Sequence, residues 1–160
     1  KWFNHAHIQK TKNSLLVEKI ESEFSEHLTL FDKEKLNTIA ELIKPRLNTL
    51  NEIYICASFF FKTPDSYNEK HFNKLKKANF KEILSGLIEV VSSAENLAEI
   101  KPALEVLVQK NEWSFGKVMG LFRLSLVGDL SGPDLFQIAS LIGKDTCVIR
   151  MTLLNKALEG

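Results

Sequence analysis

Prolines and glycines are scarce in this chain, which has four prolines and seven glycines among its 160 residues. All-β folds need frequent turn residues and segments that alternate polar and apolar side chains, and neither pattern is sustained anywhere in the sequence. The chain also lacks a run of roughly 18 apolar residues, so no membrane-spanning helix and no membrane partner are expected. These absences favour an all-α protein.

Cysteine is equally rare. Cys56 and Cys147 lie far apart in sequence and in apolar surroundings, which favours reduced thiols over a disulfide. The histidines show no metal-ligand spacing, because His5 and His7 would point about 200° apart on a helix. No phosphate-cradling glycine motif and no nucleophile with a neighbouring base occur in the sequence. We therefore expect no metal, no cofactor and no catalysis from this chain alone.

Charge is unevenly distributed although the net charge is only +1. Residues 62–81 hold six lysines against two acidic residues, whereas residues 82–112 hold six glutamates against two lysines. Such an arrangement produces a directional field and excludes a uniformly basic protein. Solvated helix faces are the simplest interpretation of both clusters.

Apolar residues recur at intervals of three and four through most of the chain, which predicts a series of amphipathic helices. Ser14 and Asp32 are predicted to cap two of them, and Pro45 is predicted to end or kink the second. The segment Thr63-Pro64-Asp65-Ser66 is the strongest linker signal. The sequence thus predicts two helical subdomains, residues 1–63 and 64–160, that form a helical bundle or superhelix.

The segment from Trp113 to Arg150 predicts a helix, a glycine turn and a second helix. Arg123 lies on the first helix, and Gly132-Pro133-Asp134 begins the second, with proline at the first helical position and aspartate at the positive end of the dipole. The unpaired backbone N–H groups there suit an anion. Taken alone, these residues favour the simpler alternative that Arg123 pairs with Asp129 or Asp134 to hold the turn.

Three stretches of the sequence match patterns of one protein family. The first comprises Gly116, Val118, Leu121, Phe122, Arg123, Gly128, Gly132, Pro133, Leu135, Phe136, Gly143, Lys144 and Arg150. The second is Leu42-Ile43-Lys44-Pro45-Arg46-Leu47-Asn48-Thr49-Leu50, and the third comprises Trp2, Phe3, Asn4 and Ile8. Together these stretches resemble the C-terminal, anticodon-binding region of bacterial-type glutamyl-tRNA synthetases.

The resemblance implies that this chain is a monomeric, all-helical anticodon-binding fragment of a cytoplasmic enzyme. The catalytic domain, which uses ATP with magnesium to attach glutamate to tRNA(Glu), would precede residue 1, so the fragment itself would be inactive. The resemblance assigns the third anticodon base to Arg46. It assigns the first anticodon base to Arg123, Pro133 and Leu135.

Further residues complete the expected interface. Gly132 and Trp2 are added to the anticodon-binding set, and Lys44, Lys117 and Lys144 are expected to contact phosphates. The alternative function is a non-catalytic helical scaffold for protein interactions, without a nucleic-acid partner.

Overall fold

The computed structural model describes residues 2–77 and 79–160, without the side chains of Trp2 and Phe3. All regular elements in these ranges are helices, so the all-α prediction is confirmed. Contacts between Cα atoms divide the chain into two compact units, Lys1–Lys62 and Thr63–Gly160. Among the described residues, no helix has both the length and the apolar character needed to cross a membrane.

Four α-helices build the first unit: α1 Trp2–Lys10, α2 Asn13–Glu23, α3 Lys33–Ile43 and α4 Ile53–Phe61. Short 3-10 turns cover Ser25–His27, Lys44–Arg46 and Leu50–Glu52. The core of this unit comprises Leu16, Ile20, Phe24, Leu36, Ile39, Ile43, Leu47, Ile53 and Phe60, all of which are buried. The predicted apolar stripe of α3 therefore faces the core, as expected from its spacing.

One of the two predicted caps in this unit is confirmed and one is wrong. The Asp32 carboxylate accepts a hydrogen bond from Lys35 N at 2.8 Å and caps α3. Ser14 does not cap α2, because the helix begins at Asn13 and its N-cap residue is Lys12. The Lys44 ammonium bonds to Thr11 O, in the turn before α2, and to Asn13 Oδ1, on the first residue of that helix.

In the described part of the second unit there are six α-helices: α5 Glu69–Lys76, α6 Phe80–Ser93, α7 Ile100–Asn111, α8 Phe115–Val127, α9 Leu135–Ile142 and α10 Lys144–Glu159. A 3-10 turn covers Leu97–Glu99. Helix α8 contacts all the other helices of this unit and contributes Val118, Leu121, Phe122, Leu124 and Leu126 to its core. Because α8 carries Arg123 and ends at Gly128, the core of the unit positions the predicted corner.

Candidate nucleic-acid interface

Arg46 lies in an irregular segment, residues 44–49, which we call the Arg46 loop. Helix α3 ends at Ile43, and Lys44–Arg46 forms a 3-10 turn because Pro45 has no N–H with which to continue the helix. Leu47 is fully buried and anchors the loop, whereas Arg46 is exposed. The loop therefore presents a guanidinium group at the surface on a backbone that is anchored immediately after it.

Helix α1 bonds to the Arg46 loop on both sides of Pro45 and Arg46. The His5 Nδ1 atom lies 2.8 Å from Leu47 O, and Gln9 Nε2 donates to Lys44 O at 2.7 Å. A carbonyl can only accept, so His5 Nδ1 carries the proton in this contact. Sequence analysis missed both residues, although their spacing of four places them on one face of a predicted helix.

Glu52 and Cys56 complete the surroundings of the Arg46 loop. Asn48 N donates to Glu52 Oε2 at 2.7 Å, which turns the chain into α4. Burial raises the pKa of the Cys56 thiol, the Glu52 charge raises it further, and the Arg46 charge lowers it. The positive charge of Arg46 therefore acts on Cys56 in α4, and the nearby Glu52 carboxylate accepts a hydrogen bond from the loop backbone.

Lys44 has a structural task within the same unit. Its Nζ atom donates to Thr11 O at 2.6 Å and to Asn13 Oδ1 at 3.3 Å. Two of the three ammonium donors therefore hold the turn between α1 and α2. One donor remains for the phosphate contact that the resemblance implies.

A tight glycine turn closes α8 in the second unit. Gly128 has φ +83°, and a Cβ atom there would lie 2.7 Å from Ser66 O and 3.0 Å from the Pro64 Cβ. Its carbonyl accepts from Asn68 N at 2.8 Å. Glycine is required at this position both by the left-handed conformation and by the close approach of the 64–68 segment.

Helix α9 begins two residues later than the sequence suggests. Asp134 is the N-cap and accepts from Gln137 N at 2.9 Å, so Leu135 is the first helical residue. Pro133 therefore precedes the cap, and the prediction that it occupies the first helical position is wrong. The Asp134 side chain supplies the hydrogen bond that a cap requires, and this fixes the start of the helix.

Arg123 crosses from α8 to the turn before α9. Its Nη1 atom donates to Pro133 O at 2.8 Å, and a Cβ atom on Gly132 would lie 3.3 Å from the same nitrogen. Gly132, with φ +137°, therefore allows the guanidinium to approach the backbone. We call Arg123 and residues 128–135 the Arg123 corner.

The side chains of the Arg123 corner differ in accessibility. Pro133 and Leu135 are buried, whereas Arg123 and Gly132 are partly exposed. Of the two aspartates considered as partners of Arg123, Asp134 caps α9, and Asp129 accepts from Leu130 N and lies 3.8 Å from His71 Nε2. A ligand at this corner would therefore meet the guanidinium and backbone groups before it met the Pro133 or Leu135 side chain.

Arg150 supports the same corner from inside the unit. This residue of α10 is 2% exposed, and its Nη1 atom donates to Leu126 O in the last turn of α8 at 2.7 Å. Burial lowers its pKa to about 10, while Cys147 and Tyr67 act to raise it. The guanidinium is thus still charged at neutral pH, and a cation at the carbonyl end of a helix is stabilising. Sequence analysis gave Arg150 no role.

The remaining predicted residues are distributed along the chain. Lys117 is exposed on α8, and Lys144 donates to Ala94 O at 3.1 Å and so satisfies a carbonyl beyond the end of α6. The Trp2 side chain lies outside the described residues. Within the second unit the structure brings together Arg123, Gly132, Pro133 and Leu135, while Arg46 belongs to the first unit.

Comparison with known proteins identifies a family that matches this chain. Residues 15–154 match the family model described as an anticodon binding domain. The chain is 37% identical over 164 residues to a glutamate–tRNA ligase of Flavobacterium johnsoniae, covering 99% of this chain and 32% of that protein. It is 32% identical over 161 residues to the corresponding ligase of Porphyromonas gingivalis, covering 99% of this chain and 31% of the relative.

Solved structures give the same result. A glutamate tRNA ligase of Elizabethkingia meningosepticum, in complex with its amino acid, matches with a TM-score of 0.82 at 32% identity. The match covers 99% of this chain and 31% of that structure, so this chain spans about a third of the length of the relatives it resembles. The family model covers most of the sequence, and the chain therefore belongs to the anticodon-binding domain family.

Proposed function

We propose that this chain recognises the anticodon of tRNA(Glu) as the C-terminal region of a glutamyl-tRNA synthetase. The rest of that enzyme would activate glutamate with ATP and magnesium and transfer it to the tRNA in the cytoplasm. This fragment is monomeric and inactive by itself. The observation that carries the proposal is the exposed Arg46, displayed on a loop that His5 and Gln9 hold from both sides.

Arg46 discriminates at the third anticodon base, which is cytosine for glutamate and guanine for glutamine. A guanidinium group only donates hydrogen bonds. Cytosine offers the acceptors N3 and O2, whereas guanine presents N–H donors across much of the corresponding edge. Because His5 and Gln9 hold the loop, the backbone of Arg46 is placed before the base binds, which lowers the cost of aligning its donors with the base.

The Arg123 corner receives the first anticodon base. Arg123 lies partly exposed beside Gly132, with its Nη1 atom on Pro133 O, and Leu135 begins the helix behind them. A splayed base at this corner would stack on the guanidinium plane and reach backbone groups of the 128–135 turn. Gly132 contributes by leaving room for the guanidinium.

The two regions form a two-part reader, with residues 1–63 and 64–160 as its subdomains. Lys117 is exposed on α8, whereas Lys44 and Lys144, the other two lysines proposed for phosphate contact, also hold backbone carbonyls. The resemblance to the family also assigns Trp2 to the anticodon-binding set.

The central experiment measures anticodon discrimination by the complete synthetase. Binding of tRNA(Glu) is compared with that of a variant tRNA in which guanine replaces the third anticodon base. Arg46→Gln should narrow the preference for cytosine by about 1 to 3 kcal/mol, which is typical of one good base contact. Lys10→Gln, the control, removes an exposed cation from α1 and should weaken the binding of both tRNAs by the same factor. Unchanged discrimination in Arg46→Gln would remove Arg46 from the site.

Salt dependence distinguishes this proposal from a protein scaffold. Binding of tRNA should weaken steeply between low and moderate salt, because phosphate contacts release counterions. Binding that does not depend on salt, or no binding of tRNA at all, would contradict the proposed function as a whole.

A further inference from the structure

The first unit contains an open groove of about 680 Å³ that no part of the proposed function uses. It lies between α1, α2 and the segment 48–51, which begins with the last two residues of the Arg46 loop. Sites of a few hundred cubic ångströms accommodate molecules of nucleotide size. The groove therefore has room for one base with its sugar.

Two exposed leucines contribute to the groove. Leu15 of α2 is 54% exposed and Leu50 of the 48–51 segment is 43% exposed. The buried side chain of Ile8 adds to the same apolar surface. Single exposed leucines are ordinary, but two in one concave site, beside a third aliphatic residue, form a surface that can cover a flat apolar face.

The charges around the groove disfavour a phosphate group. Its fully charged lining residues are Glu18 and Lys19, which balance each other, and the Lys19 ammonium also lies 3.5 Å from Glu23 Oε1. The remaining polar groups include the side chains of Asn48 and Asn51, and an amide both donates and accepts hydrogen bonds. Apolar walls with amides at the edge suit an unstacked nucleobase, which has two apolar faces and a hydrogen-bonding edge.

The groove is directly connected to the Arg46 loop. Its lining begins at Asn48, two residues after Arg46, and α1 serves both features. His5 and Gln9 of α1 bond to the loop carbonyls, while Asn4, His7 and Ile8 line the groove. A base bound here would lie against Asn48 and Thr49, the last two residues of the Arg46 loop.

We propose that this groove binds one unstacked base of the tRNA anticodon loop, an immediate neighbour of the base recognised by Arg46. The inference rests on the proposed function, because it requires the anticodon loop to be bound by this unit. It adds a second base site to the first unit, recognised by shape and amide contacts and not by charge.

The test uses the complete synthetase and tRNA(Glu) transcripts with 2-aminopurine at each position beside the third anticodon base in turn. Insertion into the groove should raise the fluorescence of one of the two probes, because the base leaves its stacked neighbours. Leu15→Asp and Leu50→Asp should each abolish that rise and weaken tRNA binding roughly tenfold. Leu30→Asp is the matched control, since Leu30 is an exposed leucine of the same unit outside the groove.

Circular dichroism melts test whether Leu15→Asp, Leu50→Asp and Leu30→Asp fold. Asn51→Ala is a smaller change at the edge of the groove, and it should reduce the fluorescence rise without altering the melting temperature. Equal behaviour of the groove variants and Leu30→Asp would overturn the inference. The inference would also be overturned if Leu15→Asp and Leu50→Asp lowered the stability of the synthetase without changing the fluorescence of either probe. That result would show that another part of the synthetase covers the groove. In both cases the preference for cytosine that depends on Arg46 would persist, whereas failure of the proposed function would remove tRNA binding by the unmodified enzyme.

Discussion

The two arginines assigned to the anticodon are built into the molecule in different ways. Arg46 is exposed, and its loop is held through backbone carbonyls by His5 and Gln9. Arg123 is partly buried, and its own guanidinium bonds to Pro133 O. In the first region other side chains hold the backbone that carries the arginine, whereas in the second the arginine helps to hold the backbone. Substitutions at Arg46 should therefore alter discrimination, and substitutions in the Arg123 corner should also alter stability.

The largest effect is expected from Gly128→Ala, which tests whether the Arg123 corner depends on its backbone. The methyl group would lie 2.7 Å from Ser66 O on a residue with φ +83°. The left-handed conformation and the displaced backbone together should lower the free energy of unfolding of the second unit by about 3 kcal/mol. Urea denaturation followed by circular dichroism measures this loss.

The matched control lies at the other end of the same helix. Gly116 is exposed near the start of α8, where the nearest atom to an added Cβ is Ser114 Oγ at 3.7 Å. Gly116→Ala should stabilise the unit by about 0.5 to 1 kcal/mol, because alanine is the better helix former. If both variants changed stability by the same amount and sign, the close approach at Gly128 would not be the cause.

The next effect is expected from Arg123→Ala. Losing a charge-assisted hydrogen bond to Pro133 O should cost about 2 kcal/mol of stability in the second unit and should also weaken tRNA binding. Arg123→Lys, which retains a charge and a donor, should recover part of both losses. Discrimination at the third anticodon base should not change, because Arg46 lies in the other unit. A change in that discrimination would show that the two arginines do not act separately.

Local patterns predicted the parts of the fold that depend on neighbouring residues. The stripe Leu36, Ile39, Ala40 and Ile43 identified the buried face of α3, and the short side chain of Asp32 identified its start. Ser14 failed as a cap although it is chemically suitable. Lys44, 31 residues away in sequence, bonds to Asn13 at the start of α2, and no window around Ser14 contains that contact.

The same limit applies to the candidate site. Sequence patterns identified Arg46 and the glycine turn beside Arg123, because unusual residues mark them. His5 and Gln9 act 42 and 35 residues along the chain from their partners, and Arg150 acts 24 residues away. Each of these side chains bonds to a backbone carbonyl, which every residue has, so nothing in the sequence marks the partner.

A third prediction tests the interior beneath the Arg123 corner by pH. Burial raises the pKa of the Cys147 thiol from 9.0 to about 12. The unfolded chain therefore loses this proton first, and stability falls as pH rises above 9. Arg150 changes stability in the opposite direction only above about pH 10, so the interval from pH 9 to 10 separates the effect of the thiol from that of Arg150.

Between pH 9 and 10 the free energy of unfolding should fall by up to about 1.4 kcal/mol because of the Cys147 thiol, and Cys147→Ala should abolish this fall. Urea denaturation at each pH measures it. The same substitution should lower stability at pH 7 through the cavity that it leaves. Cys56→Ala is the control from the Arg46 region, where the half-buried thiol also has a raised pKa but lies near the surface and should contribute a smaller slope. Equal slopes in the two variants would contradict the contrast between a buried corner and an exposed loop.

The smallest effect is expected from Gln9→Ala, and it tests whether the Arg46 loop is held from outside. The hydrogen bond from Gln9 Nε2 to Lys44 O is neutral and should be worth about 1 kcal/mol. Loss of this bond should loosen the Arg46 loop and narrow the preference for cytosine. The effect should be smaller than that of Arg46→Gln, because the guanidinium donors of Arg46 remain and only their placement is less well fixed. Gln109→Ala, the same change on an exposed position of α7, should leave that preference unchanged. If Gln9→Ala lowered the free energy of unfolding but left the preference for cytosine unchanged, Arg46 would not depend on Gln9 for its position. The contrast between an arginine held by other side chains and an arginine that holds its own backbone would then be contradicted.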